Sequence, residues 1–345
     1  MSTTQGLMIE GYDAALFDLD GVVYLGPDPV PGAAEGISAL RELDVRVGFV
    51  TNNAARPPDA VAIHLRELGI PAEAADVVTS AQAGARLLVE RFGTGARVLA
   101  VGGAGVQAAL EEAGLIAVGS ADDAPAAVMQ GYDPNLSWQL ITEAALAVQR
   151  GAHWLATNTD PTRPTDRGLV PGNGAAVQAV RTAVDVDPEV AGKPYPPLIA
   201  ETIRRLDAGR AIFVGDRLDT DIEGAVRLGL DSLLVLTGSH GPKDLLAAEP
   251  GSRPTYVGAD LRALVQPAPV VAPDVDSVRC GEQTARLVDG GITLDREPTT
   301  PGSWLDALWA AAQLTWATAD AGRTCRTADV LTTLDRGPAA HVDRS

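Results

Sequence analysis

Residues 14–24 read AALFDLDGVVY, an apolar run with the length of a short buried strand that leads directly into Asp18, Asp20 and Gly21. In an open parallel sheet, ligands bind at the carboxyl ends of the strands, so both carboxylates lie where chemistry is expected. Two carboxylates so close in the chain repel each other unless they share a cation or a proton. The alternative interpretation is an acidic loop with no catalytic role. The other motifs of the chain are needed to choose between these two interpretations.

Short apolar runs alternate with segments of helical periodicity before residue 70 and again after residue 210. This alternation predicts an α/β fold with a parallel sheet. The predicted strands are 14–17, 45–50, 211–215 and 233–236, and the predicted helices are 32–43, 57–68 and 222–228. The chain would therefore have a catalytic core that is discontinuous in sequence, formed by residues 1–79 and 188–265.

Residues 80–187, between the two halves of that core, carry an alternation of their own. It predicts helices at 82–92, 106–112 and 138–150 and strands at 97–101, 126–130 and 154–157. A segment of this length can bury a core of its own, so we predict an inserted α/β domain.

The chain changes character after residue 265. Residues 266–273 carry three prolines and are predicted to form a semi-rigid linker to a small α+β module at 274–345. One helical face of this module holds Leu305, Leu308, Trp309, Ala312 and Trp316. We expect this face to pack on strands from residues 277–294, on the core, or on another subunit.

Two polar motifs have the chemistry of an anion site. Thr51, Asn52 and Asn53 follow a predicted strand and offer a hydroxyl, amides and backbone N–H groups. Such donors suit phosphate oxygens, although they also serve as the cap of a following helix. Lys193 is one of only two lysines and lies between Gly192 and Pro194. An ammonium in this rigid frame neutralises a transferring phosphoryl group, whereas the alternative is an ordinary surface lysine.

A third motif has the chemistry of a cation site. Residues 215–221 read GDRLDTD and follow a predicted strand, so Asp216, Asp219 and Asp221 crowd at its end. Mg²⁺ prefers oxygen ligands of this kind. The alternative is an acidic first turn that offsets the dipole of the following helix.

Taken in order, the motifs D-x-D-G, T-N-N, G-K-P and G-D-x-x-x-T-D resemble those of the haloacid dehalogenase superfamily of phosphatases. The local sequences DLDGVVYLG, TNNA, GKPYPP and GDRLDTDI resemble its subclass IIA more narrowly, over about residues 11–260. The resemblance implies a Rossmann-like core and a phosphoric monoester hydrolase. The long interval between the second and third motifs implies a C2 cap at residues 80–187.

The resemblance also implies a role for each motif residue. Asp18 would attack phosphorus to form an aspartyl-phosphate, and Asp20 would protonate the leaving group and then deprotonate water. Mg²⁺ would be held by the Asp18 carboxylate, the Asp20 carbonyl and Asp216, with Asp221 orienting them from behind. The substrate's phosphoryl oxygens would be held by Thr51, Asn52, Asn53 and Lys193.

The cap segment TNTDPTRP, residues 157–164, carries a further signature of this family. In relatives, the residue before its second proline reaches the substrate, and here that residue is Arg163. A guanidinium at this place favours a small, polar or anionic phosphate ester, such as glycerol 3-phosphate or phosphoglycolate. A nucleotide or pyridoxal phosphate is the alternative substrate, and a ligand-sensing regulatory protein with secondary phosphatase activity is the alternative function. An exposed loop arginine is the alternative for Arg163 itself.

The composition narrows the partners. The 345 residues carry a formal charge of −18, which makes nucleic acid and anionic membranes poor partners. Cys280 and Cys325 show no metal-binding or disulfide pattern. Residues 1–12 lack the pattern of a signal peptide, and no apolar run is long enough for a membrane span. We therefore expect a cytoplasmic protein whose partner is a small phosphate ester, with a homo-oligomer left open.

Overall fold

The computed structural model describes residues 6–165 and 167–338. The chain divides into two compact units. Unit 1 comprises Met1–Arg46 with Gly209–Ser345, and unit 2 comprises Val47–Ala208, each as far as its residues are described. The boundaries of these units, after Arg46 and after Ala208, differ from the domain boundaries predicted after residues 79 and 187. The predicted domain division stays a prediction.

The helices and strands alternate along most of the described chain. The strands are β1 (Ala14–Asp18), β2 (Tyr24–Leu25), β3 (Asp28–Pro29), β4 (Arg46–Thr51), β5 (Val77–Thr79), β6 (Arg97–Val101), β7 (Ile116–Val118), β8 (Ala127–Gln130), β9 (His153–Ala156), β10 (Thr162–Thr165), β11 (Gly168–Pro171), β12 (Glu189–Val190), β13 (Ala211–Gly215), β14 (Asp231–Val235), β15 (Tyr256–Gly258), β16 (Val271–Pro273), β17 (Ser277–Cys280), β18 (Gln283–Val288) and β19 (Gly291–Leu294). The helices are α1 (Ala33–Glu42), α2 (Pro58–Glu67), α3 (Ser80–Phe92), α4 (Ala104–Glu112), α5 (Trp138–Gln149), α6 (Asn173–Arg181), α7 (Pro196–Leu206), α8 (Glu223–Arg227), α9 (Pro242–Leu246), α10 (Pro301–Asp320) and α11 (Ala328–Arg336).

Unit 1 is built on a parallel sheet with the strand order β15-β14-β13-β1. Every residue of β1 and β13 is buried, which explains why both read as continuous apolar runs rather than alternating ones. Phe17 of β1 lies opposite Val214 of β13. This register brings Asp18 and Asp216 to the same carboxyl edge of the sheet, and the predicted α/β core with a parallel sheet is confirmed.

The C-terminal part of unit 1 is an antiparallel sheet, β16-β17-β18-β19, covered by α10 and α11. Part of the segment predicted as a linker is strand β16, which pairs with β17. Proline is tolerated there because β16 is an edge strand. Helix α10 begins with a Thr300 cap that accepts from the Ser303 N–H, with Pro301 at its first position.

One hydrophobic cluster joins this C-terminal part to the parallel sheet. Leu234 of β14 and Leu246 of α9 belong to the same buried cluster as Trp304, Trp309 and Trp316 of α10. The rings of Trp309 and Trp316 meet edge to face at 5.5 Å, and the Trp316 indole N–H donates to the Leu245 carbonyl at 3.1 Å. The apolar face of α10 is therefore buried on its own strands and on the core, two of the three expected places.

Unit 2 contains a second parallel sheet, with the order β12-β9-β8-β6-β7. Its helices include α3, which starts with a reciprocal cap between Thr79 and Gln82. Strand β4 pairs with β5, and β10 pairs with β11 as an antiparallel hairpin. The periodicity did not indicate this hairpin, because Thr162, Arg163 and Leu169 are exposed and show no apolar alternation. Among the described helices, none combines the length and the apolar character needed to cross a bilayer.

Candidate active site and cation site

Three aspartates meet at the carboxyl edge of the unit 1 sheet. Asp18 ends β1, Asp216 follows β13, and Asp221 lies in the turn after it; one carboxylate oxygen from each lies within 4.8 Å of the others. The residues are 9%, 1% and 0% exposed, respectively. Three buried negative charges at this spacing repel one another unless a cation lies among them, and carboxylate oxygens are the ligands Mg²⁺ prefers. The group therefore fits a divalent cation.

The turn that carries Asp20 is held close to Asp216. Asp20 itself is exposed, and Gly21 adopts a left-handed conformation with φ of 85°. A Cβ atom at Gly21 would lie 2.6 Å from Oδ2 of Asp216, so any other residue would force the two loops apart. The structure thus places the predicted nucleophile in the cluster, with the predicted acid–base residue two positions further on. Their roles stay predictions.

The second acidic loop forms a wide π-helical turn over Leu218–Ile222. The Ile222 N–H donates to the Arg217 carbonyl at 3.1 Å, and the Arg217 N–H donates to Oδ2 of Asp221 at 3.1 Å. Asp219 is bound to the Arg217 guanidinium instead, at 3.0 and 2.8 Å. Burial would raise the pKa of Asp219, but the Arg217 hydrogen bonds and charge outweigh it and hold the pKa below its usual value. Asp219 therefore stays apart from the cluster.

The segment Thr237–His240 forms hydrogen bonds with both acidic loops, and the sequence motifs did not indicate this segment. The Thr237 hydroxyl donates to the Gly21 carbonyl at 2.6 Å, and the Ser239 N–H donates to Oδ2 of Asp216 at 2.6 Å. A side chain at Gly238 would overlap the Asp216 carboxylate. The available signal was a polar run, Thr-Gly-Ser-His, soon after β14 at the same sheet edge. We call residues 237–240 the clasp.

The predicted phosphate-binding residues lie in unit 2, where Asn52 and Lys193 are brought together. Oδ1 of Asn52 accepts from the Lys193 N–H at 2.8 Å, and its Nδ2 donates to the Lys193 carbonyl at 3.2 Å. The Thr51 hydroxyl oxygen accepts from the Asn53 N–H at 3.1 Å, and Oδ1 of Asn53 accepts from the Ala55 N–H at 3.0 Å. Lys193 is only 3% exposed. The Asn52 amide therefore fixes the backbone of the lysine.

Arg163 lies in the β10–β11 hairpin and contacts Tyr132, a residue that the sequence did not single out. Its guanidinium donates to the Tyr132 hydroxyl at 3.2 Å and lies 5.0 Å from the ring centroid. A cation over an aromatic face is attracted by the ring, so Tyr132 orients the arginine. The available signal was the position of Tyr132, two residues after the end of β8.

A neutral polar cluster occupies the carboxyl edge of the unit 2 sheet. Gln130 at the end of β8 accepts from the Trp154 indole at 3.0 Å, and the Asn173 amide donates to the Asn158 carbonyl at 2.7 Å. The Asn158 amide donates in turn to the Asn52 carbonyl at 2.7 Å. Gln130, Asn158 and Asn173 are all buried. We call these three residues the amide cluster.

Family models match both halves of the chain. Residues 15–116 match a model described as a haloacid dehalogenase-like hydrolase, and residues 190–264 match a model described as HAD-hydrolase-like. The chain belongs to the haloacid dehalogenase-like hydrolase family and is a phosphatase, as the motifs predicted. Phosphatases of this family use Mg²⁺, which agrees with the carboxylate chemistry of the cluster.

Three relatives place the chain more narrowly. It is 51% identical over 261 residues to the D-glycerol 3-phosphate phosphatase of Mycobacterium tuberculosis, covering 76% of this chain and 73% of that protein. The crystal structure of glycerol phosphate phosphatase from the same organism in complex with magnesium matches with a TM-score of 0.85 at 42% identity, covering 96% and 98% of the two chains. The p-nitrophenyl phosphatase of Archaeoglobus fulgidus matches with a TM-score of 0.68 at 28% identity, covering 74% and 98%. The resemblance to subclass IIA is thereby confirmed.

Proposed function

We propose that the chain is a Mg²⁺-dependent phosphatase that hydrolyses glycerol 3-phosphate through an aspartyl-phosphate on Asp18. The observation that carries the proposal is the buried cluster of Asp18, Asp216 and Asp221, whose oxygens lie within 4.8 Å of one another. The substrate is taken from the 51% identity to the D-glycerol 3-phosphate phosphatase of M. tuberculosis. A bound Mg²⁺ would neutralise charge on the cluster and on the phosphoryl group.

The chain's own residues would divide the reaction into two steps. Asp18 attacks phosphorus, the bond from phosphorus to the ester oxygen breaks, and Asp20 gives its proton to the departing glycerol. Asp20 then takes a proton from water as that water attacks phosphorus, which releases inorganic phosphate and restores the Asp18 carboxylate. The exposure of Asp20 suits a group that exchanges protons with substrate and water.

The remaining predicted residues would hold the substrate. Lys193, fixed through its backbone by Asn52, would neutralise the phosphoryl oxygens, and Thr51 and Asn53 would add donors. Arg163, oriented by Tyr132, would select a small polar ester. Residues 80–187 would act as the cap domain, and residues 274–345 as an extra module. A cytoplasmic location belongs to the same proposal, and cell fractionation tests it.

The test of the substrate is a phosphate-release assay over a panel of esters with purified protein and Mg²⁺. The panel includes glycerol 3-phosphate, phosphoglycolate, a nucleoside monophosphate and pyridoxal phosphate. We expect the highest kcat/KM with glycerol 3-phosphate. A tenfold or greater preference for another ester would replace the proposed substrate while leaving the phosphatase class intact.

The test of the mechanism uses Asp20→Asn with two substrates. p-Nitrophenolate is a weak base that departs without being protonated, so this variant should release one equivalent of it rapidly and then stop, because water attack needs the base. With glycerol 3-phosphate the first step also needs Asp20, so no burst should occur. Equal steady turnover of both substrates, without a burst, would exclude the assigned role of Asp20.

A further inference from the structure

We propose that His240, in the clasp, is a positioning residue that holds the turn carrying Asp216 and Asp221 in the conformation that binds the cation. The proposal rests on the cation-dependent function proposed for this same site. His240 lies outside the motifs that define the family resemblance, and its contacts reach the metal cluster through the backbone.

His240 binds the acidic turn at two points. Its backbone N–H donates to the Asp216 carbonyl at 3.2 Å, and its ring Nδ1 accepts from the Leu218 N–H at 2.8 Å. Because a backbone N–H donates to Nδ1, the neutral ring carries its proton on Nε2. The two bonds hold both ends of the segment from Asp216 to Leu218, where the chain leaves the sheet and starts to turn.

The Leu218 N–H needs this partner. Leu218 begins the π-helical turn, and the first N–H groups of a helix have no acceptor within the helix. Leu218 is buried, so water cannot replace the histidine easily. A π-helical turn is a rare conformation that surrounding contacts have to maintain. The imidazole supplies one such contact from the side of the clasp.

The negative charges of the aspartate cluster explain why the acidic turn needs the contacts from His240. Without a cation, Asp18, Asp216 and Asp221 repel one another, and the turn would relax outward unless other contacts held it. Fixing the turn before the cation arrives reduces the cost of binding. Removing a residue that hydrogen-bonds to the metal ligands and orients them typically lowers metal affinity by about 10–100-fold. We therefore expect His240 to set cation affinity, with little effect on the KM for the ester.

The clasp is itself anchored from the C-terminal part of unit 1. Helix α9 begins two residues after His240, and the carbonyl of its Leu245 accepts from the Trp316 indole at 3.1 Å. Leu218 and Ile222 belong to the same hydrophobic cluster as Trp316. The histidine thus joins two segments that rest on one continuous core, which gives the imidazole a fixed frame.

The test compares His240→Ala, His240→Asn and His240→Gln in the full-length chain. Oδ1 of asparagine occupies nearly the position of Nδ1 and can accept the Leu218 N–H, whereas the acceptor of glutamine lies one bond too far. Mg²⁺ binding is measured by calorimetry without substrate, and kcat and KM are measured over a Mg²⁺ series. His64→Ala, on helix α2, is the matched control.

We expect the Ala and Gln variants to raise the Kd for Mg²⁺ about tenfold, and the Asn variant to stay within about threefold of the unmodified chain. Saturating Mg²⁺ should restore kcat, and KM for the ester should stay unchanged. Equal Mg²⁺ affinity in all variants, or an Asn variant as weak as the Ala variant, would overturn the proposal. If Ala fails to fold, the difference between Asn and Gln decides. If the unmodified chain itself binds no Mg²⁺, the proposed function fails instead.

Discussion

The two parallel sheets of this protein each end in a buried polar cluster, and the two clusters differ in charge. In unit 1 the edge holds the carboxylates of Asp18, Asp216 and Asp221. In unit 2 the edge holds the amide cluster, in which the Asn158 and Asn173 amides donate to backbone carbonyls and Gln130 accepts from the Trp154 indole. Nε2 of Gln130 and Oδ1 of Asn173 are buried without a hydrogen-bond partner among the described residues. A buried neutral amide with an unpaired atom costs far less free energy than a buried unpaired charge, so only the carboxylates require a cation. The same topology therefore gathers three carboxylates at the edge of one sheet and three neutral amides at the edge of the other.

The largest expected effect tests the charged edge. Asp18→Asn keeps the shape of the side chain but removes the attacking charge, so kcat should fall roughly 10⁴-fold or more. The fold should persist, because one of three repelling charges is gone. Phosphate release and a thermal melt in chelator measure the two effects. Activity within tenfold of the unmodified chain would show that Asp18 is not the nucleophile.

Removing the cation should affect unit 1 alone. Chelation should abolish turnover, Mg²⁺ should restore it, and Ca²⁺ should inhibit because its looser and higher coordination spoils the geometry. Mg²⁺ at 100 times its Kd should add about 2.7 kcal/mol of stability, visible as a higher Tm. Asp216→Asn serves as the control and should lose this shift. Full turnover in excess chelator would contradict the prediction.

A substitution at the neutral edge of unit 2 should lower the stability of the fold and leave the Mg²⁺ requirement unchanged. Asn173→Ala removes a buried amide that donates to the Asn158 carbonyl, which should cost about 1–3 kcal/mol of stability. Because no charge is lost, the Mg²⁺ concentration for half-maximal activity should not change. Denaturant unfolding and a Mg²⁺ titration of activity measure the two quantities. An altered Mg²⁺ requirement would show that the two edges are not chemically separate.

The smallest effect concerns substrate choice. Arg163→Ala should lower kcat/KM for glycerol 3-phosphate about tenfold and change p-nitrophenyl phosphate little, since an activated ester needs less from the enzyme. Tyr132→Phe should give part of the loss, because it keeps the ring but removes the hydroxyl that accepts from Arg163. Equal losses on both substrates would mean that Arg163 does not select.

The charged edge could be predicted from the sequence because its chemistry resides in side chains. Apolar runs marked the strands, and Asp18 and Asp216 had to emerge at one edge of a parallel sheet. The clasp could not be found in that way, because Ser239 acts through its backbone N–H and Gly238 acts by having no side chain. Sequence motifs are defined by side-chain types, so they do not indicate which backbone N–H groups donate.

Asn52 shows a second reason for incomplete prediction. Its amide was expected to hold the substrate, and the structure directs that amide onto the backbone of Lys193, far away in sequence. Long-range partners of this kind leave no trace in local spacing. The burial of α10 was predicted from its apolar face, but three surfaces could have covered it, and only the three-dimensional structure distinguishes them.

The shared core of unit 1 also has a consequence for biosynthesis. Both acidic loops, including the one that carries Asp216, are synthesised before α10, yet the hydrophobic cluster behind Leu218 is completed only by Trp304, Trp309 and Trp316 of that helix. Unit 2, at Val47–Ala208, is contiguous and can fold while synthesis continues. At a synthesis rate of about 5–20 residues per second, several seconds pass between the synthesis of the second acidic loop and that of the three tryptophans. Ribosome-bound chains that stop before α10 should therefore contain a folded unit 2 and an incomplete acidic edge in unit 1.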